Sequence, residues 1–174
     1  APERGSGRQI ENVPVQITPD EPDSKWPLLK MSYIWAIQHA SRYIWLQTPY
    51  FIPPESVLDA LKAAALSGVD VRVMVPAKAE TFFIGHAVKS YYKECLEAGI
   101  RIYERGDEFI HAKTFVSDDY LSSVGTANID ARSFDINYEV NTYMYDEKAA
   151  RRCSAIFEED MAVSREILLE DWRK

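Results

Sequence analysis

Residues 110 to 128 read IHAKTFVSDDYLSSVGTAN, an apolar stretch with a histidine and a lysine two positions apart at its start. In an extended chain, side chains two apart point the same way, so His111 and Lys113 are expected to emerge from one face. A neutral imidazole can act as a nucleophile or carry a proton, and an adjacent ammonium is a cation for anionic oxygens. Asp118 is seven positions from His111 and is expected to face elsewhere. Asn128 ends the next apolar run, just past Gly125 and Thr126. The spacing is H-x-K-x4-D-x6-G-T-x-N.

Each residue also has a plainer reading. A lone histidine on a strand is usually a satisfied core or surface group, and that reading is taken for His39 and His86. Lys89 lies three positions after His86, which does not repeat the H-x-K geometry. Lys113 alone would be a solvated strand edge, and Glu139 alone a surface charge. They gain weight as members of a set in which six specified positions coincide. Tyr50 and Phe51 divide evenly between core and substrate pocket. Arg132 could hold a phosphate, but pairing with Asp130 or Asp135 explains it equally well.

The elements that position these residues alternate in type. Residues 1–24 are rich in Pro, Gly, Asp and Glu and read as linker, with at most one short strand at VPVQIT (13–18). Met31, Ile34 and Ile37 recur at helical spacing between Ser24 and about Ser41. RYIWLQT (42–48) is the first core strand, and a helix follows from Glu55 to Ser67, stopped by Gly68. VDVRVMVP (69–76) is a buried strand, residues 85–98 are a helix ended by Gly99, and IRIYER (100–105) is another strand. The hairpin at 110–125 follows, then a strand at NYEVNTYMYD (137–146) and a long helix over 147–172. Strands alternating with helices predict right-handed crossovers, hence an α/β fold with a mixed, largely parallel sheet flanked by helices on both faces.

The chain has 174 residues, of which 47% are hydrophobic, enough for one domain with a real core. A net charge of −7 and the lack of a long basic run weigh against a general nucleic-acid binder. Cys95 and Cys153 match no metal or redox spacing and read as reduced thiols. No segment reaches the length of a membrane span. With no initiator methionine or signal peptide, the chain reads as excised from something longer.

The motif resembles the H-K-D signature of the phospholipase D superfamily at every position. TPYFIPP (48–54), GVDVRVMVP (68–76), AGIRIYE (98–104) and GTANIDARSFDINYEV (125–140) are similar to the second catalytic half of bacterial cardiolipin synthases. The resemblance covers nearly everything from about residue 25 onward. It implies a linker from a preceding half at 1–24 and a phospholipase D-like half at 25–174.

The resemblance also implies a site built from His111, Lys113, Asp118, Asn128 and Glu139, with no cofactor and no metal. His111 would attack or protonate, its ring oriented by Glu139 from this half or its partner. Lys113 and the Asn128 amide would donate to the phosphorane oxygens, and Asp118 would tie down the hairpin. The chemistry needs two histidines and only one H-x-K occurs, so a second half is expected opposite this one. The implied reaction moves a phosphatidyl group between two phosphatidylglycerol molecules through a phosphohistidine, releasing glycerol. The implied partners are the phospholipid, the missing N-terminal half and the cell membrane, reached from the cytoplasmic side through the full-length protein. Nucleic acid is not expected, and the chain alone is expected to form at most a weak homodimer. Rival readings are a homodimeric phosphodiesterase or nuclease and a non-catalytic lipid-binding or assembly half.

Overall fold

Every residue of the strand Tyr43–Gln47 is buried, as happens when helices cover both faces of a sheet. The structure, a computed structural model, describes residues 12–22, 24–106 and 109–172. In chain order the first elements are β1 (Val15–Asp20), α1 (Leu28–His39), β2 (Tyr43–Gln47), β3 (Phe51–Ile52), α2 (Glu55–Leu66) and β4 (Asp70–Pro76). Next come α3 (Phe82–Ser90), α4 (Tyr92–Glu97), β5 (Arg101–Arg105), β6 (Thr114–Ser117) and β7 (Leu121–Gly125). The chain continues through β8 (Ile129–Asp130), α5 (Ala131–Asp135), β9 (Glu139–Tyr145), α6 (Glu147–Ala162) and β10 (Ser164–Ile167), then a 3-10 turn at Leu169–Trp172.

Eight strands form one sheet in the order β1-β9-β7-β6-β2-β4-β5-β10, and β3 pairs with β8 separately. Within the large sheet only β2–β4 and β4–β5 are parallel. The other neighbours are antiparallel, so the expected largely parallel sheet is corrected to a mixed one with an antiparallel majority. A parallel pair needs a helical crossover, and helices intervene between β2, β4 and β5. The three-residue turn from β6 to β7 can only reverse the chain.

Alternation along the strands feeds two apolar layers. Ile44, Leu46, Val73 and Phe115 join Tyr33 and Ile37 of α1 and Leu61 of α2 in one cluster. Tyr43, Trp45, Met74 and Val116 join Ala150 and Phe157 of α6 in the other. The Phe115 ring meets Tyr33 edge-on at 5.1 Å. Truncating a buried phenylalanine of this kind costs about 3–5 kcal/mol.

Other boundaries differ from the sequence reading for local physical reasons. Part of the expected linker, Val15–Asp20, is an edge strand on β9. Its last residue, Asp20, accepts the Leu29 amide at 3.0 Å and so caps α1. That helix starts at Leu28 rather than Ser24, because Pro27 disfavours helical backbone in the residue before it. The helix expected over 85–98 starts at Phe82, where the Thr81 hydroxyl accepts the Ile84 amide, and breaks at Tyr91 into α3 and α4. The last expected helix ends at Ala162, and residues 164–167 instead pair with β5, fastened by a two-bond Arg101–Glu166 ion pair at 2.8 and 3.0 Å.

Candidate active site

The register of β6 on β2 decides where the chemistry emerges. Thr114 lies opposite Gln47, the last residue of β2, and its hydroxyl donates to Gln47 Oε1 at 2.9 Å. The residues just before β6 therefore leave the sheet at the edge where parallel strands β2 and β4 end. Open α/β sheets bind ligands at this carboxyl edge. His111 and Lys113 precede the regular strand rather than lying within it. The Lys113 carbonyl still takes the Gly125 amide at 3.1 Å and adds one rung to the ladder.

Lys113 Nζ lies 3.2 Å from His111 Nε2 and donates to the His111 carbonyl at 3.0 Å. The imidazole is exposed, whereas Lys113 is only 9% exposed. Burial pushes the Lys113 ammonium below the ordinary lysine pKa, and the charges of Glu139 and Asp130 offset only part of that push. The result is a desolvated cation beside an accessible imidazole, with two carboxylates near enough to act on the cation. The Phe109 ring stacks near His111 at 5.9 Å.

The Gly125-Thr126-Ala127-Asn128 turn is fastened to β9. A side chain at Gly125 would overlap Asn141 and come within 2.7 Å of the Val140 carbonyl, which explains the glycine. Asn141 Oδ1 accepts the Ala127 amide at 3.3 Å, and the Thr126 amide donates to the Val140 carbonyl at 3.0 Å. The backbone N–H of Asn128 donates to Ser133 Oγ at 3.1 Å. Asn128 Oδ1 is buried and has no hydrogen-bond partner. Asn128 lines a cavity of about 440 Å³ with Tyr50, Asp130, Arg132 and Asn137.

Glu139 does not orient His111 within this chain. Its carboxylate accepts from Thr126 Oγ1 and, at 3.2 Å, from Asn137 Nδ2. Asp118 does not join the site and sits in the turn at the far end of β6. Its carboxylate accepts the amides of Ser41, Arg42 and Tyr43 at 2.7, 2.9 and 2.9 Å and the Ser41 hydroxyl at 2.9 Å. His39 and His86 bond to the carbonyls of Trp35 and Phe82, one turn earlier in their own helices.

The two pairings weighed for Arg132 do not occur. Asp135 pairs with Lys30 at 2.6 Å, and Asp130 Oδ1 accepts the Ser133 amide at 2.7 Å as the cap of α5. The influence of Asp130 on Lys113 was missed from sequence. Its position two residues after Asn128 was the available signal, obscured by its apparent role as an arginine partner.

Among the described residues no cluster of His, Cys, Asp and Glu could hold a metal ion, and no helix is long and apolar enough to cross a membrane.

Comparison with known proteins fits this arrangement. Among solved structures, Nuc from Salmonella typhimurium, a phospholipase D family member, superimposes with a TM-score of 0.76 at 21% identity, covering 90% of this chain and 99% of that one. A phosphatidylserine synthase from Haemophilus influenzae gives 0.70 at 15% identity, covering 89% and 40%. Both likenesses bear on fold alone. In sequence, the chain is 48% identical over 161 residues to the major cardiolipin synthase ClsA of Bacillus subtilis (strain 168), covering 92% of this chain and 33% of that protein. It is 46% identical over 160 residues to a cardiolipin synthase of Listeria welshimeri, covering 92% and 33%. The chain thus spans about a third of the length of these relatives. Residues 33–161 match the family described as the cardiolipin synthase, PLD-like domain, and the chain belongs to that family.

Proposed function

We propose that this chain is the C-terminal catalytic half of a cardiolipin synthase, transferring a phosphatidyl group from one phosphatidylglycerol to the terminal hydroxyl of another. The observation that carries the reading is the contact between the His111 imidazole and the desolvated Lys113 ammonium, within a chain 48% identical to a cardiolipin synthase. In the transfer one imidazole forms a P–N bond as the P–O bond to glycerol breaks. A second imidazole, from the other half, gives its proton to the departing alkoxide. The acceptor hydroxyl then attacks phosphorus, returns a proton to that second imidazole, and breaks the P–N bond. Lys113 and the Asn128 amide hold the non-bridging oxygens through both steps. Glu139 faces the other half, where it would orient that half's histidine. The full-length protein brings the site to the membrane.

The test is His111→Ala in the full-length enzyme. Cardiolipin formation should vanish while the melting curve stays the same, because an exposed imidazole contributes little packing. Acid-labile phosphate trapped on the wild-type enzyme should map either to His111 or to the histidine of the other half, which identifies the nucleophile. Retained synthesis by a folded His111→Ala protein would refute the catalytic role.

A further inference from the structure

The cavity lined by Asn128, Asp130 and Arg132 holds chemistry that phosphoryl transfer at His111 does not use. Asn128 Oδ1 is a buried acceptor with no donor. Its burial keeps that oxygen out of a ligand's reach, so Asn128 serves the cavity only as wall. Asp130 commits one oxygen to the Ser133 amide, and its other oxygen has no hydrogen bond among the described residues. Arg132 lines the same cavity, is exposed and forms no ion pair among the described residues. A free carboxylate oxygen suits a hydroxyl group, and a free guanidinium suits a phosphate. Tyr50, Ile52 and Ile84 complete the wall. The volume of about 440 Å³ falls within the range of small-molecule sites.

We propose that this cavity is a subsite for a glycerol phosphate group, with Asp130 accepting one of its two hydroxyls and Arg132 holding its phosphate. The inference rests on the transferase reading only for its role, which is to seat the headgroup of the acceptor lipid. The Asp130 carboxylate acts electrostatically on Lys113, which links the subsite to the cation proposed to hold the reacting phosphate. A headgroup seated there presents its remaining hydroxyl toward that phosphate and displaces water that would otherwise hydrolyse the intermediate.

Binding is tested without turnover by titrating this chain with glycerol 3-phosphate, inorganic phosphate and glycerol. Glycerol 3-phosphate should bind at least tenfold more tightly than either of the others. Arg132→Gln, a change at an exposed and unpaired side chain, should weaken it roughly tenfold, the order expected for a lost arginine–phosphate contact. Equal affinity for inorganic phosphate and glycerol 3-phosphate would overturn the polyol assignment, and binding unaffected by Arg132→Gln would overturn the phosphate assignment. In the full-length enzyme the same variant should lower the ratio of cardiolipin to phosphatidic acid severalfold. An unchanged ratio would reject the acceptor role. A wild-type enzyme forming neither product would count against the transferase reading instead, leaving the binding result to stand or fall separately.

Discussion

Lys113 has the environment of a group made to titrate early. Its ammonium loses water on folding, and Glu139 and Asp130 return only part of the lost stabilisation. Two consequences follow from the same downward shift. The unfolded chain holds more protons than the folded one between the two pKa values, so stability rises with pH across that window. On the proposed mechanism activity should run the other way, because the phosphate would lose its cation as Lys113 deprotonates. The alkaline limb of kcat/KM should therefore lie below the ordinary lysine value, and Lys113→Arg should remove that limb because guanidinium stays charged. A pH profile of the full-length enzyme measures both. Lys113→Ala should cost about 10²-fold or more in kcat, by analogy with losing one oxyanion donor. A change confined to KM would mark Lys113 as a ground-state binder only.

The β6–β7 hairpin and the turn after β7 hold the site from opposite ends. At the tight end Asp118 and Asp119 adopt left-handed backbone, tolerated best by Gly, Asn and Asp. Partial burial raises the Asp118 pKa, but the amides of Tyr43, Ser41 and Arg42 outweigh it and hold the carboxyl below its usual range. With the folded value depressed, the stabilisation is complete above the unfolded aspartate pKa, about 3.9, and is lost as pH falls through the folded value. Asp118→Ala should cost about 2 kcal/mol, given several charge-assisted bonds at a partly exposed site. Asp118→Asn should cost less at neutral pH, since it keeps the backbone preference, and acid melts should show a weaker pH response. At the site end, Gly125→Ala forces a methyl against Asn141 and should destabilise by about 1–3 kcal/mol. Adding Asn141→Ala should recover part of that loss, and a double-mutant cycle in denaturant reads the coupling. Strict additivity would place the strain elsewhere.

Across the whole molecule, the described residues leave a part of the sheet at β1, β9 and β7 uncovered. Ile17, Thr142 and Val124 lie side by side across β1, β9 and β7. Ile17 is 68% exposed, and Val124 and Val140 are exposed beside it. Aliphatic side chains gathered on an open sheet face favour contact with another surface. The relatives are about three times longer than this chain, and on the proposed two-half reading the other half would be the cover. Without it, the chain should associate only weakly with itself and make little or no cardiolipin from phosphatidylglycerol vesicles. Light scattering over a dilution series should show a dimer that weakens in Ile17→Ser/Val140→Ser. A stable monomer with robust synthesis would contradict the requirement for two histidines.

Sequence alone determined what depends on neighbours a few residues apart. The α2 boundary at Glu55 follows from a helical period and the strands 43–47 and 70–76 from their apolar content, whereas His111 and Lys113 meet although they precede the regular strand. The family likeness was legible because the motif and its flanks are contiguous in sequence. Tertiary structure alone decided what depends on distant partners. Asp20 became the cap of α1, and residues 164–167 became a strand because β5 offered an open edge. Most of the sheet is antiparallel because of strand placement, which no single segment encodes. Glu139 turned to Thr126 and Asn137, and Lys30 rather than Arg132 took Asp135. Local period reports which face a residue occupies, but the occupant of the opposite surface is set only when the whole chain folds.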